Sequence, residues 1–171
     1  MIFRFRVILD ATEDIFRDIE IQEEATFEDF SNAITQAFGL DGMEMASFYV
    51  SDDEWNQGEE ISQFDMGEGN DSVRLMNETT LDSIFSEDQT RMIYIYDFLN
   101  MWTFLVELAE IAEPINGQSY PNLLFSHGVL PDSAPDKQFE ADEDEDPYGF
   151  NDDDNLDIND YDSLNFDENW N

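Results

Sequence analysis

The chain contains no cysteine, which excludes disulfides, thiolate nucleophiles and cysteine-ligated zinc. It has a single histidine, His127. A Ser-His-Asp set would have to combine it with Ser126 and Asp132. Sequence-adjacent residues do not meet as nucleophile and base in such triads, whose members converge through the fold. His127 therefore reads as a surface or turn residue. Only six Lys and Arg stand against 43 Asp and Glu, a formal charge of -37 with a pI near 4.1. Phosphate binding needs clustered Lys and Arg, so direct nucleic-acid binding is excluded as a first reading and anionic membrane surfaces are disfavoured. No run of about 18 apolar residues exists to span a membrane. No apolar stretch of about 7–15 residues leads to a small-residue cleavage site near the N-terminus. A cytoplasmic protein is expected, with no cofactor.

Of the 171 residues, 41% are apolar and 14% aromatic, too many for a chain that is disordered throughout. Acid is present everywhere. Residues 1–135 hold 28 acids and five arginines, a charge of -23, while residues 136–171 hold 15 acids and Lys137, a charge of -14. Composition divides the chain into a domain over 1–113, a Pro-rich extension over 114–135 and an acidic-aromatic tail over 136–171.

Hydrophobic periodicity supplies the elements of the domain. Phe3, Phe5, Val7 and Leu9 alternate with Arg4 and Arg6, the period of a half-buried strand. Ile15, Ile19 and Ile21 alternate with Asp18 and Glu20, and the short link at 11–13 suits a hairpin. Thr26 and Asp29 form a capping-box pattern ahead of Phe27, Phe30, Ile34 and Ala37, and Gly39 stands where a left-handed cap belongs. This predicts a helix over 26–38. A third strand is expected at 45–51, then a long polar excursion over 52–78 with some short order, and one helical turn at Leu81, Ile84 and Phe85. Residues 91–98 and 102–111 form the strongest strand pair, apolar on both faces and joined by a turn near Leu99-Asn100. Pro121, Pro131 and Pro135 are expected to break any later element. The order of strands with one covering helix predicts an α+β fold, a mixed or antiparallel sheet in β-β-α-β…β-β sequence like a β-grasp, followed by a disordered or loosely ordered tail.

Candidate chemistry is thin. Asp52-Asp53-Glu54, Glu59-Glu60, Asp142–Asp146 and Asp152-Asp153-Asp154 are acid clusters suited to diffuse cation condensation. EF-hand registers fail, with Ile158 or Pro147 in the place of the required Gly and Leu164 in the place of a Glu. Met66-Gly67-Glu68-Gly69-Asn70 lacks the spacing and the Lys of a phosphate loop. For carboxylate-pair hydrolysis only Asp97 and Glu107 qualify, and Asp97 reads more naturally as a turn residue. Arg4, Arg6, Arg17 and Arg91 fall on strands among many acids and are expected to make cross-strand ion pairs. The tail is less ordinary. Tyr148, Phe150, Tyr161, Phe166 and Trp170 are spread through acids that include Asp152, Asp153 and Asp154. Purely solvating tails carry few aromatics, and acidic-hydrophobic alternation marks segments that order on a partner.

Four segments carry a family resemblance: Ile15-Phe16-Arg17-Asp18-Ile19; Thr26-Phe27 with Ala33-Ile34 and Ala37-Phe38-Gly39; Met45-Ala46-Ser47-Phe48; and Tyr96-Asp97-Phe98 with Trp102. In order and spacing the chain resembles the Ri-plasmid (pRi) open-reading-frame-three-like family, which includes an accessory protein of a mycobacterial insertion element. The resemblance covers about residues 1–125 and is nearest to an acidic-tailed branch of gut anaerobes. It implies structural roles for Phe16, Arg17, Phe27, Phe38, Gly39, Tyr96, Asp97, Phe98 and Trp102. The chain departs from the family pattern where Leu99-Asn100 replaces Gly-Asp and where Phe104 and Glu44 replace histidines. The later Cys and Pro-Pro-Glu-Asp stretch is reduced to Gly128-Val129-Leu130-Pro131-Asp132. The polar residues of any family site are thereby mostly lost.

The expectation is a non-enzymatic interaction module, a monomer or weak dimer, that binds a basic protein through its acidic surface and tail. DNA mimicry in a mobile-element or DNA-transaction setting is a specific form of that reading. The alternatives are a metal-dependent or carboxylate-based hydrolase and a cation-buffering or folding-helper protein.

Overall fold

The computed structural model describes residues 1–64 and 74–135, which all belong to the unit Met1–Phe139. The tail, and with it every partner-binding residue proposed from sequence, lies outside the described residues.

The strands are β1 (Ile2–Leu9), β2 (Phe16–Gln22), β3 (Ala46–Ser51), β4 (Gln57–Ser62), β5 (Arg74–Leu75), β6 (Arg91–Tyr96), β7 (Trp102–Ala112) and β8 (Asn122–His127), with helix α1 (Phe27–Phe38) between β2 and β3. They make one sheet in the order β5-β4-β3-β6-β7-β1-β2-β8. Every described pairing is antiparallel except β4 with β5. The fold is α+β, a mixed sheet with one helix.

α1 forms where its caps demand it. The Thr26 hydroxyl accepts from the Asp29 N–H and the Asp29 carboxylate accepts from the Thr26 N–H, closing the capping box. Gly39 ends the helix at φ 81°, a conformation that costs an L side chain about 1 kcal/mol or more. The helix buries Phe27, Phe30, Ala33, Ile34 and Phe38, whereas Ala37 is only half-buried. Its stripe lies on an aromatic layer rising from the sheet. Phe30 stacks on Phe48 and tilts against Phe5, and Phe38 packs on Phe104.

Phe85 closes one end of this core against Phe5 and Phe27. It is held there by the segment at 79–82, which is tied to 23–27 by backbone hydrogen bonds from Phe27 to Thr79, Leu81 to Ala25 and Asp82 to Glu23. The helical turn expected at 81–85 is a single 3-10 turn, Leu81–Ser83. The Thr80 hydroxyl donates to the Asp82 carboxylate instead of capping a backbone N–H.

Three strands lie where the sequence pattern predicts none. β4 falls inside the polar excursion with four exposed residues and only Ile61 and Ser62 buried. The two-residue β5 falls there too and pairs with β4. β8 falls inside the Pro-rich extension and pairs with β2. All three are recruited by a neighbouring strand rather than by a periodicity of their own.

Candidate functional site

The face of the sheet away from α1 carries rows of charge across β2, β1, β7 and β6. Asp18 stands opposite Arg6, which stands opposite Glu107, which stands opposite Arg91; Glu20, Arg4 and Glu110 form the next row. The Arg6 guanidinium donates to both carboxylate oxygens of Asp18, at 2.8 and 2.9 Å. Arg4 donates to Glu20 at 2.7 Å and to Glu110 at 2.8 Å. Arg91 pairs with Glu107 at 3.6 Å, donates to the Asp53 carbonyl and covers the Trp55 ring. Arg74 pairs with Glu59. Glu20 is 2% exposed, and its second oxygen accepts from Gln118 and Asn122. These neighbours satisfy the carboxylate, as a buried charge requires.

Arg17 departs from the expected cross-strand pairing. Strand parity puts it on the inner face with Ile15, Ile19 and Ile21. There its guanidinium donates to the carbonyls of Ala37, Phe16 and His127 and lies over the Phe38 ring. Burial lowers its pKa from the ordinary arginine value. α1 has no basic residue in its last turn, so Arg17 supplies from β2 the cation that a helix C-terminus favours.

The other family-motif residues surround this layer. Phe16 lies under the Arg6 guanidinium and stacks on His127, which is exposed at the end of β8. Phe27 and Phe38 are the first and last residues of α1, and Tyr96 and Trp102 pair across the β6–β7 turn. Phe98 is exposed in that turn, and Leu99 is 91% exposed.

Asp97 builds the turn. It adopts φ 66°, its side chain accepts from the Leu99 N–H and the Asn100 amide, and its carbonyl accepts from the Asn100 and Met101 N–H groups. Glu107 lies five residues further along β7 than Trp102, roughly 17 Å away. Glycosidase carboxylates are about 5–10 Å apart, so Asp97 and Glu107 do not form such a pair. The Asp52 carboxylate is likewise occupied, accepting from the Glu54 and Asn56 N–H groups and the Asn56 amide. Among the described residues no three His, Asp or Glu side chains group as metal ligands. No helix among them is long and apolar enough to cross a membrane.

A tyrosine–carboxylate pair was not legible in the sequence. The Tyr96 hydroxyl donates to Asp41 at 2.5 Å and accepts from the Glu44 N–H. That bond, with the Met43 N–H, holds the Asp41 carboxyl below the usual carboxylate value, while burial followed by Asp41 itself raises the Tyr96 phenol. A depressed carboxyl contributes stability above its unfolded pKa and loses it as pH falls through the folded value. Tyr96→Phe is therefore expected to move the Asp41 titration upward toward the ordinary carboxylate range. Carbon-13 NMR of the Asp41 carboxyl checks this, and an unmoved titration would assign the depression to the backbone donor alone.

Fold and surface together define a class: an α+β domain whose described basic side chains are all engaged within the fold. A family model described as plasmid pRiA4b ORF-3-like protein matches residues 1–133, and the chain belongs to that family. A crystal structure of a protein of unknown function from Methanosarcina mazei Go1 is similar at a TM-score of 0.66 and 21% identity. The match covers 78% of this chain and 74% of that one, and at this identity it speaks for the fold. No curated protein matches the chain.

Proposed function

We propose that this protein is a non-enzymatic interaction module that binds a basic protein through its acidic surface and its acidic-aromatic tail. One observation supports this above others. The arginines among the described residues are spent internally, four in ion pairs and Arg17 on carbonyls. Uncompensated carboxylates are left as the surface charge, within a span whose formal charge is -23. A field of one sign steers a partner of the opposite sign, and aromatic anchors convert the encounter into a complex. A nucleic-acid-binding protein is the specific partner class proposed, the acids occupying its DNA site by mimicry.

The test is capture from host lysate at about 0.15 M salt, where charges are screened over roughly 8 Å. The full chain is compared with one ending at Pro135. The full chain is expected to retain a discrete basic protein that duplex DNA displaces and that the shorter chain loses. Equal retention by both chains would assign binding to the domain surface. Retention by neither would overturn the proposal.

A further inference from the structure

β8 is the last strand of the sheet, so its outer backbone edge has no neighbouring strand among the described residues. Leu123, Leu124 and Phe125 are 47%, 52% and 52% exposed there. Sheet proteins usually guard such an edge with lysine, inward-pointing charge or an embedded proline. The strand Asn122-Leu-Leu-Phe-Ser-His127 has none of these within it, and its one irregularity is a bulge at Leu124 in the pairing with β2. At the opposite end, β5 is only two residues long.

Both flanks of the edge are concave. On the helix side, Ile19, Ala33, Ala37, Pro121 and Leu123, with Gln36 and Asn122, line a mostly apolar hollow of about 240 Å³. On the far side, Leu124 borders a larger hollow of about 470 Å³ that runs over β2, β1 and β7 and whose polar lining is Asp18, Glu107 and Glu110 together with Arg4 and Arg6. Successive side chains of an added strand point to opposite faces. Alternating apolar and cationic side chains would thus find a mostly apolar hollow on one side and, on the other, a face where Asp18, Glu107 and Glu110 outnumber Arg4 and Arg6.

We infer that β8 is a docking edge for an extended segment of the basic partner, with alternating apolar and Lys or Arg side chains, which pairs with β8 as a ninth strand. The inference rests on the basic-partner reading above and adds where and in what conformation that partner binds. Charge selects this occupant over a second copy of the chain. Two chains of -37 repel each other, whereas a cationic strand is attracted by the excess of acid in a span whose formal charge is -23.

The probe is a synthetic peptide of four Lys-Val repeats, titrated into the full chain with calorimetry and amide hydrogen exchange. A Lys-Pro peptide of equal charge, unable to donate at alternate positions, is the control. The Lys-Val peptide is expected to bind at least tenfold more tightly and to slow exchange across 122–127. Leu123→Lys with Phe125→Lys, both at exposed positions, is expected to weaken it at least tenfold. Met43→Lys with Leu99→Lys, which adds the same charge at distant exposed positions, is expected to change it less than twofold.

Equal binding of both peptides without protection of 122–127 would overturn the edge inference and leave the basic-partner reading standing. Binding of neither would overturn both. A concentration-dependent dimer that the Leu123/Phe125 change dissolves would make a second copy the occupant and overturn the inference.

Discussion

Phe48→Ala is expected to destabilise the domain by about 4 kcal/mol, the range measured for fully buried phenylalanine truncations. Phe48 is 0% exposed, on a strand paired on both sides. Its ring meets Phe27, Phe30 and Tyr94 at centroid distances of 5.0, 5.5 and 4.6 Å. It is thus the junction between the first turns of α1 and the middle of the sheet. Removing it subtracts transfer energy, leaves a cavity that helix and sheet cannot both collapse into, and unpairs three aromatic contacts. Domains of this size are stable by about 5–15 kcal/mol, so the loss is a large share of the total. Urea denaturation of the variant beside Phe98→Ala, whose ring is 42% exposed, is the check. The Phe98 change is expected to stay within about 0.5 kcal/mol. Comparable losses at the two positions would contradict the assigned core.

Arg17→Ala is expected to cost about 3 kcal/mol for a different reason. Arg17 is 8% exposed and lies over the Phe38 ring, so some packing is lost as well. The distinctive loss is polar: the Ala37, Phe16 and His127 carbonyls lose their shared donor, and under-satisfied polar groups cost about 1–3 kcal/mol each where water cannot replace the donor. Arg17→Lys is expected to recover less than half of the loss. An ammonium is a point donor, whereas the guanidinium fork reaches three carbonyls at once. Hydrogen exchange separates this from general destabilisation, because β8 receives one of the three bonds and its amides are expected to exchange first. Full rescue by Lys would reduce Arg17 to a simple charge at the helix end.

How far the fold was legible follows from how each element is specified. α1 is written locally, with Thr26, Asp29 and Gly39 naming its ends and Phe27, Phe30 and Ile34 its inner stripe. β1, β6 and β7 alternate strongly enough to be read without their neighbours. β4 is not, because Gln57-Gly58-Glu59-Glu60 has no apolar alternation and becomes a strand only by pairing with β3. β8 hides for a related reason. Pro121 and its neighbours suggest a breaker, yet the strand begins just after that proline and borrows its register from β2, with a shift between Asp18 and Ile19. The candidate edge was therefore invisible in sequence. Leu123, Leu124 and Phe125 look unremarkable until topology leaves them outermost. Arg17 was nearer to being legible. It sits between Ile15 and Ile19 at inward parity, a signal that outweighs the habit of placing arginine outside.

The pairing of β1 with β7 has a consequence for how the chain is made. Ile2 lies opposite Ala112, and Leu9 opposite Phe104, so one interior strand of the sheet waits for another synthesised about a hundred residues later. At about 5–20 residues per second, the hairpin of β1 and β2 with α1 spends several seconds outside the ribosome with its sheet incomplete. Closing so long a loop is slow, and apolar strand edges stay uncovered until it closes. The dense acid along the chain has a role in that interval which does not depend on any partner. Nascent chains of like charge repel one another while Phe3, Phe5 and Val7 still lack the strand that completes their layer.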